Sequence, residues 1–228
     1  MKNINEIKKK VYKLNLDLIN SDLIFDTFGN ASLRYNKTFI IKPSGVDIKL
    51  CHYNKMAVYG QINSLNPSVD SKIHEVIYNN FPKVNSIIHT HSTFATAFAQ
   101  ASKKIECIGT THADYFKGDI PIINYTNAKK TSVDYEYFTG MEIIKYFKKN
   151  KIDYLSISAA LLKNHGVIVW GENDKEVFKK TLAVEYIAKI NYHSTQLNHK
   201  LKKLPKHLLE KHFERKNGKK KYYGQIKN

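Results

Sequence analysis

The apolar positions change period along the chain, and the period marks each element. Ile7, Val11, Leu14 and Leu18 recur at helical spacing, which predicts an amphipathic helix over residues 4–18 that Asn20-Ser21 ends. Residues 23–35 read as extended, interrupted at Gly29-Asn30, a pair that tolerates positive φ. Asn36-Lys37 predicts a tight turn and Thr38–Ile41 a returning strand, followed by a sharp loop at Pro43-Ser44-Gly45. A short strand over Met56–Tyr59 and a loop at Asn66-Pro67-Ser68 come next. Ile73, Val76 and Ile77 then mark a helix from Asp70 to Asn80, with Ser68 or Asp70 as its cap and Phe81-Pro82 as its end.

The apolar run over residues 85–91 predicts a strand that delivers His89 and His91 two residues apart. On a strand, positions i and i+2 face the same side, so both imidazoles can aim at one point. A helix over Thr93–Gln100 follows, then a loop containing Gly109 to Gly118, then a helix from about Val133 to Lys148. Strands at Ala159–Lys163 and Val167–Trp170 flank Asn164-His165-Gly166. A long helix runs from Asp174 to about His199, and Pro205 opens the C-terminal segment. The mixture predicts one α/β domain over residues 1–228, with helices on both faces of a mixed, mostly antiparallel central sheet.

Composition changes this picture little. The 228 residues are 42% hydrophobic, enough for one large core. No run of 18 apolar residues predicts a membrane span, and the first residues lack the apolar stretch of a signal peptide. Cys51 and Cys107 match no zinc or redox spacing and read as buried thiols in a reducing cytoplasm. The net charge of +17 invites a nucleic-acid partner. Arg34 and Arg215 are the only arginines, however, and arginine is the residue that grips phosphates and guanines bidentately. The lysines are spread along the chain and dense only after Lys200, so no nucleic-acid partner is expected.

Three constellations carry candidate chemistry. Taken alone, His89 and His91 read equally well as ordinary strand-end histidines or as half of a metal site. Catalytic zinc usually takes three protein ligands and keeps one position open. His165 is the best third candidate, beside a glycine that allows close backbone approach, and Asp70 the best fourth. His112, His74 and the late histidines are the alternatives; His193, His199, His207 and His212 fall in lysine-rich helical segments and read as solvated. Gly29-Asn30, Ser44-Gly45 and Ser68-Val69, with Lys42 nearby, are small polar loops that can cradle a phosphate, although each alone is more often just a turn. Thr110-Thr111-His112-Ala113-Asp114-Tyr115 and Tyr222-Tyr223 offer acid–base groups that spacing alone leaves as ordinary polar side chains facing solvent.

These stretches together resemble a known family. Gly29–Ser32, Ile41–Asp47, Ile88–Ser92, Gly109–Phe116, His165-Gly166, Leu208–Lys216 and Tyr222–Gln225 are similar to the L-ribulose-5-phosphate 4-epimerases of the class II aldolase superfamily. The resemblance runs along nearly the whole chain, and its specific parts are Thr110–Phe116 and the tail. It implies a zinc ion, one per subunit, held by Asp70, His89, His91 and His165. It implies a sugar phosphate held by Gly29, Asn30, Ser44, Gly45, Ser68 and Val69. It implies Asp114 and Tyr223 as acid–base residues donated to a neighbouring subunit's metal site in a homotetramer, with residues from about 205 to 228 completing that site. The family usually has serine at the position of Val69, so one phosphate hydroxyl is missing here. Related sugar-phosphate aldolases, of the L-fuculose-phosphate type, have glutamate where this chain has Asp70, which favours the epimerase over the aldolase.

Overall fold

The computed structural model describes residues 3–62, 64–125, 132–218 and 222. Among the described residues, seven α-helices and seven strands follow in the order α1 (Ile4–Asn20), β1 (Asn30–Tyr35), β2 (Thr38–Ile41), β3 (Ala57–Val58), α2 (Ser71–Asn80), β4 (Ser86–Thr90) and α3 (Thr93–Gln100). They continue with α4 (Thr110–Ala113), β5 (Ile122–Ile123), α5 (Tyr135–Lys149), β6 (Ala159–Leu162), β7 (Gly166–Gly171), α6 (Asp174–Leu197) and α7 (Lys206–Asn217). All seven strands form one sheet in the order β3-β2-β1-β4-β7-β6-β5. Every pairing is antiparallel except β5 with β6, so the expected mixed, mostly antiparallel sheet is found. The stretch expected as a loop between Gly109 and Gly118 contains α4, and of the extended stretch 23–35 only residues 30–35 are strand.

β4 lies in the middle, and its alternation decides the layers. Ile88 packs with Val167, Val169, Ala95 and Val184, beneath α1, α3 and α6. Ile87 packs with Ile168, Trp170, Ile73, Val76 and Ile143 on the opposite face, beneath α2 and α5. Successive strand side chains alternate faces. His89 therefore continues the Ile87 face, the one on which α2 begins.

Polar side chains finish what the strands leave open. The last β1–β2 pair is Ser32 with Ile41, so β1 runs on past β2 towards Asn30. There the buried Asn15 of α1 takes over, accepting from the Ala31 N–H at 2.9 Å and donating to the Ala31 carbonyl at 3.3 Å. At the start of α3, Ser92 makes no side-chain cap bond. The Glu185 carboxylate of α6 accepts from the N–H groups of Phe94 and Ala95 instead, at 2.8 and 2.9 Å. This docks the helix that leaves His91 onto α6.

His74 makes the fold sensitive to acid. The ring is wholly buried, with Nδ1 2.8 Å from Ser32 Oγ, and burial pushes it down to about 3. In the unfolded chain the same ring protonates near its ordinary value of about 6.5. The native state thus binds fewer protons between these two values, and stability falls as the pH drops through that window. Near pH 5 the loss from this ring is about 2 kcal/mol. Urea denaturation near pH 7 and pH 5 should show it, and His74→Gln should flatten the difference; an unchanged pH dependence in that variant would assign the sensitivity elsewhere.

Candidate metal centre and phosphate cleft

Three elements deliver three histidines to one place. His89 is the last residue but one of the central strand, and His91 comes directly after the strand's end at Thr90. His165 sits in the hairpin between β6 and β7, beside Asn164 in the left-handed region at φ 57°. One ligand atom from each of the three lies within 4.8 Å of the others. His89 Nε2 and His91 Nε2 are 3.0 Å apart. His89 Nδ1 bonds the Val167 carbonyl at 3.0 Å, which leaves Nε2 as the inward atom.

The electrostatics suit a cation. Burial lowers all three rings; it pushes His165, with His89 beside it, down to about 4. Neutral imidazoles with converging lone pairs are what a divalent transition metal binds. Asp70 supplies the negative charge, with Oδ2 4.0 Å from His89 Nε2. Burial works against that charge, but the surrounding histidines and the Asn30 amide outweigh it and hold the carboxyl below its usual range. Asp70 is the N-cap residue of α2 yet makes no cap bond; its Oδ2 accepts from Asn30 Nδ2 at 2.8 Å instead. An aspartate so placed ordinarily stabilises its helix by about 1 kcal/mol. Here the side chain is turned away from the helix and towards the histidines.

Two glycines let the backbones come this close. A Cβ on Gly166 would lie 2.5 Å from the Thr90 carbonyl oxygen, 3.1 Å from the His91 ring and 3.3 Å from the His89 ring. A Cβ on Gly29, at φ 93°, would lie 2.8 Å from the His89 carbonyl oxygen. Gly166→Ala is therefore expected to push the hairpin off β4, costing about 1–3 kcal/mol of stability and weakening metal retention. Chemical denaturation with metal analysis checks this; a variant with native stability and metal content would show that the hairpin tolerates the shift.

Beside the histidines opens a cleft of about 290 Å³. Gly29, Asn30, Ser44, Gly45, Ser68, Val69, Asp70, His91 and His165 all line it, together with Thr27, Phe28 and Lys42. The three polar loops thus meet Asp70, His91 and His165. The N–H groups of Ser44 and Ser68 already donate to the carbonyls of Asn66 and Lys42, so these serines offer their hydroxyls rather than their backbone. Lys42 is buried, its ammonium donates to the Thr27 carbonyl at 3.0 Å, and burial lowers its pKa. Phe28, which the pattern of residues did not single out, is half-exposed and stacks on the His91 ring at 5.8 Å.

The acid–base candidates lie elsewhere in the chain. Asp114 caps the C-terminus of α4, which packs on α7, and it is not among the residues lining the cleft. Both of its oxygens accept from Arg215, at 2.9 and 2.8 Å, and His212 Nδ1 lies 3.3 Å away. His212, expected to be solvated, is instead half-buried against this carboxylate. The other arginine, Arg34, donates to the carbonyls of Val84 and Tyr78. His112 is buried, donates from Nε2 to the Gly118 carbonyl and takes no part in the triad. Tyr223 lies outside the described residues.

A solved L-fuculose 1-phosphate aldolase superposes with a TM-score of 0.74, covering 92% of this chain and 95% of that one at 24% identity. The family described as Class II Aldolase and Adducin N-terminal domain matches residues 9–192, and the chain belongs to it. Relatives along the full length are more specific. The chain is 38% identical to the probable L-ribulose-5-phosphate 4-epimerase UlaF of Mycoplasma pneumoniae, over 98% of this chain and 96% of that protein. It is 34% identical to L-ribulose-5-phosphate 4-epimerase UlaF of Salmonella paratyphi C, over 97% of this chain and all of that one.

Proposed function

We propose that this chain is a zinc-dependent L-ribulose-5-phosphate 4-epimerase of the cytoplasm, interconverting L-ribulose 5-phosphate and D-xylulose 5-phosphate. The observation that carries this reading is a triad of converging histidines, His89 buried and His91 and His165 partly buried, opening onto a polar cleft of about 290 Å³. Relatives with that name along nearly the full length support it. So do two free cysteines, and no helix among the described residues is long and apolar enough to cross a membrane.

The substrate dictates the route. C4 is not adjacent to the C2 carbonyl, so its hydrogen is not acidic and cannot simply be exchanged. Breaking the C3–C4 bond solves this. A base takes the C4 hydroxyl proton, the bond opens, glycolaldehyde phosphate turns its other face, and the bond re-forms with proton donation to the new C4 alkoxide. Asp70, His89, His91 and His165 would hold the metal, one ion per subunit. When bound, the metal supplies a Lewis acid that polarises the C2 carbonyl and takes up negative charge as the C3–C4 bond opens. Gly29, Asn30, Ser44, Gly45, Ser68 and Val69, with Lys42, anchor the phosphate, so the aldehyde end can rotate without leaving. Asp114 and Tyr223 serve as the acid–base pair on opposite sides of C4. The Asp114 carboxylate sits against α7 and away from its own cleft, which supports a homotetramer in which residues 205–228 and α4 complete a neighbour's site.

Incubating the purified protein with L-ribulose 5-phosphate and following D-xylulose 5-phosphate tests the proposal; no conversion by zinc-loaded protein would sink it. A class II aldolase of the L-fuculose-phosphate type is the second reading, prompted by the structural likeness. Net release of free aldehyde would favour it, because an epimerase retains both fragments until they rejoin.

Val69 bears on affinity. It is 66% exposed and presents an apolar surface at the mouth of the cleft. Val69→Ser is expected to add a hydroxyl donor to the phosphate, a gain of about 1.5 kcal/mol for a charge-assisted bond. KM should fall by about tenfold with kcat unchanged. An unaltered KM would remove residue 69 from the phosphate contacts.

A further inference from the structure

We propose that Tyr135 is a positioning residue of the metal centre: its phenol oxygen accepts the Nδ1 proton of His165 and so presents Nε2 of that ring to the ion. This rests on the metal site proposed above. Tyr135 Oη lies 3.2 Å from His165 Nδ1, and the two rings are 5.9 Å apart at 53°. The Tyr135 hydroxyl is also hydrogen-bonded to the Tyr125 hydroxyl, and those rings lie 5.3 Å apart.

A histidine that binds a metal through one nitrogen needs a partner on the other to hold its tautomer and plane. For His89 that partner is the Val167 carbonyl at 3.0 Å. His165 stands on the short loop Lys163–His165, and its own N–H is used in closing that turn to the Leu162 carbonyl at 3.0 Å. Tyr135 is the phenol found at its Nδ1.

Tyr135 is itself well fixed. It is the first residue of α5, whose N-cap Asp134 accepts from the Tyr137 N–H at 3.2 Å. The same carboxylate takes the ammonium of Lys72 at 2.5 Å. Lys72 stands two residues after Asp70, so one ion pair ties the start of α5 to the start of α2. The carboxylate beside the triad and the phenol behind His165 are thereby set in register. No pattern in the sequence announces this, because Tyr135 and His165 are separated by helix α5, strand β6 and a turn.

Zinc dissociation constants measured by competition with a chromophoric chelator test the assignment in the full-length protein. Tyr135→Phe is expected to weaken binding by about 10–100-fold, the usual range for loss of such a partner. Tyr125→Phe, one bond further out, should weaken it less. With cobalt in place of zinc, the visible spectrum of Tyr135→Phe should shift from that of the unaltered protein. Native affinity and spectrum in Tyr135→Phe would overturn the proposal. If the Phe variant does not fold, histidine nitrogen NMR of the unaltered zinc-loaded protein decides. Metal on Nε2 with a proton on Nδ1 of His165 supports the assignment, and metal on Nδ1 overturns it. Absence of zinc binding by the unaltered protein would instead remove the metal centre itself, an outcome distinct from an insensitive Tyr135.

Discussion

His91→Asn is expected to leave a folded protein that retains no stoichiometric zinc and turns over at least about 10³-fold more slowly, as loss of roughly 4 kcal/mol of Lewis-acid stabilisation requires. The reasons are local. His91 contributes one of three converging nitrogens, and its Nε2 lies 3.0 Å from that of His89. Asparagine is shorter and offers a hard amide oxygen where a divalent zinc prefers imidazole nitrogen. The site is half-open at this residue, so the fold should survive the change: His91 is partly exposed, whereas His89 is buried in the strand. Elemental analysis and the epimerase assay read the two effects separately. Unchanged zinc content would refute the ligand role, and lost activity with retained zinc would make His91 a substrate contact instead.

The second large effect concerns the other end of the chain. Asp114→Asn is expected to lower kcat by about 10²–10⁴-fold while zinc content stays at the wild-type level, the range for loss of a general acid or base. Tyr223→Phe should behave likewise. Arg215 reaches both oxygens of Asp114, and an asparagine keeps only one acceptor for that fork. Some loss of stability therefore accompanies the variant, and thermal melts show whether the assay temperature lies safely below it. Turnover at the wild-type rate would take Asp114 out of the chemistry and leave it as the residue that anchors α7. If the site is shared between subunits, mixing inactive His91→Asn with inactive Asp114→Asn protein should regain activity, because some mixed interfaces carry neither change.

Much of this was legible in the residues themselves. The two-residue period of a strand put His89 and His91 on one side, and the apolar run before them announced the strand. Gly29-Asn30 and Asn164-His165-Gly166 announced turns through residues that tolerate the left-handed region. Less legible was Asp70, which looks like an ordinary helix cap until its carboxylate is found turned to Asn30 and the histidines. His212 sits in a lysine-rich helix and reads as solvent-facing, yet α7 lays it against Asp114, 98 residues away. The charge of +17 suggested a partner of opposite sign, but both arginines are engaged within the chain.

The division follows from the range of the forces involved. Periodicity, turn chemistry and capping act between residues a few positions apart, so the sequence by itself determined the elements, the mixed sheet and the paired histidines on the strand. For the third histidine, His165 was the best candidate, with His74, His112 and the late histidines as alternatives. The order of strands decided it: β4 pairs with β7 in a register that sets Thr90 opposite Val167 and brings the hairpin beside His91. His74 and His112 are as good ligands chemically, but packing buries them against Ser32 and Gly118. Only the tertiary structure placed Tyr135 behind His165 and Phe28 over His91, because such contacts depend on which surfaces burial brings together and on no local pattern.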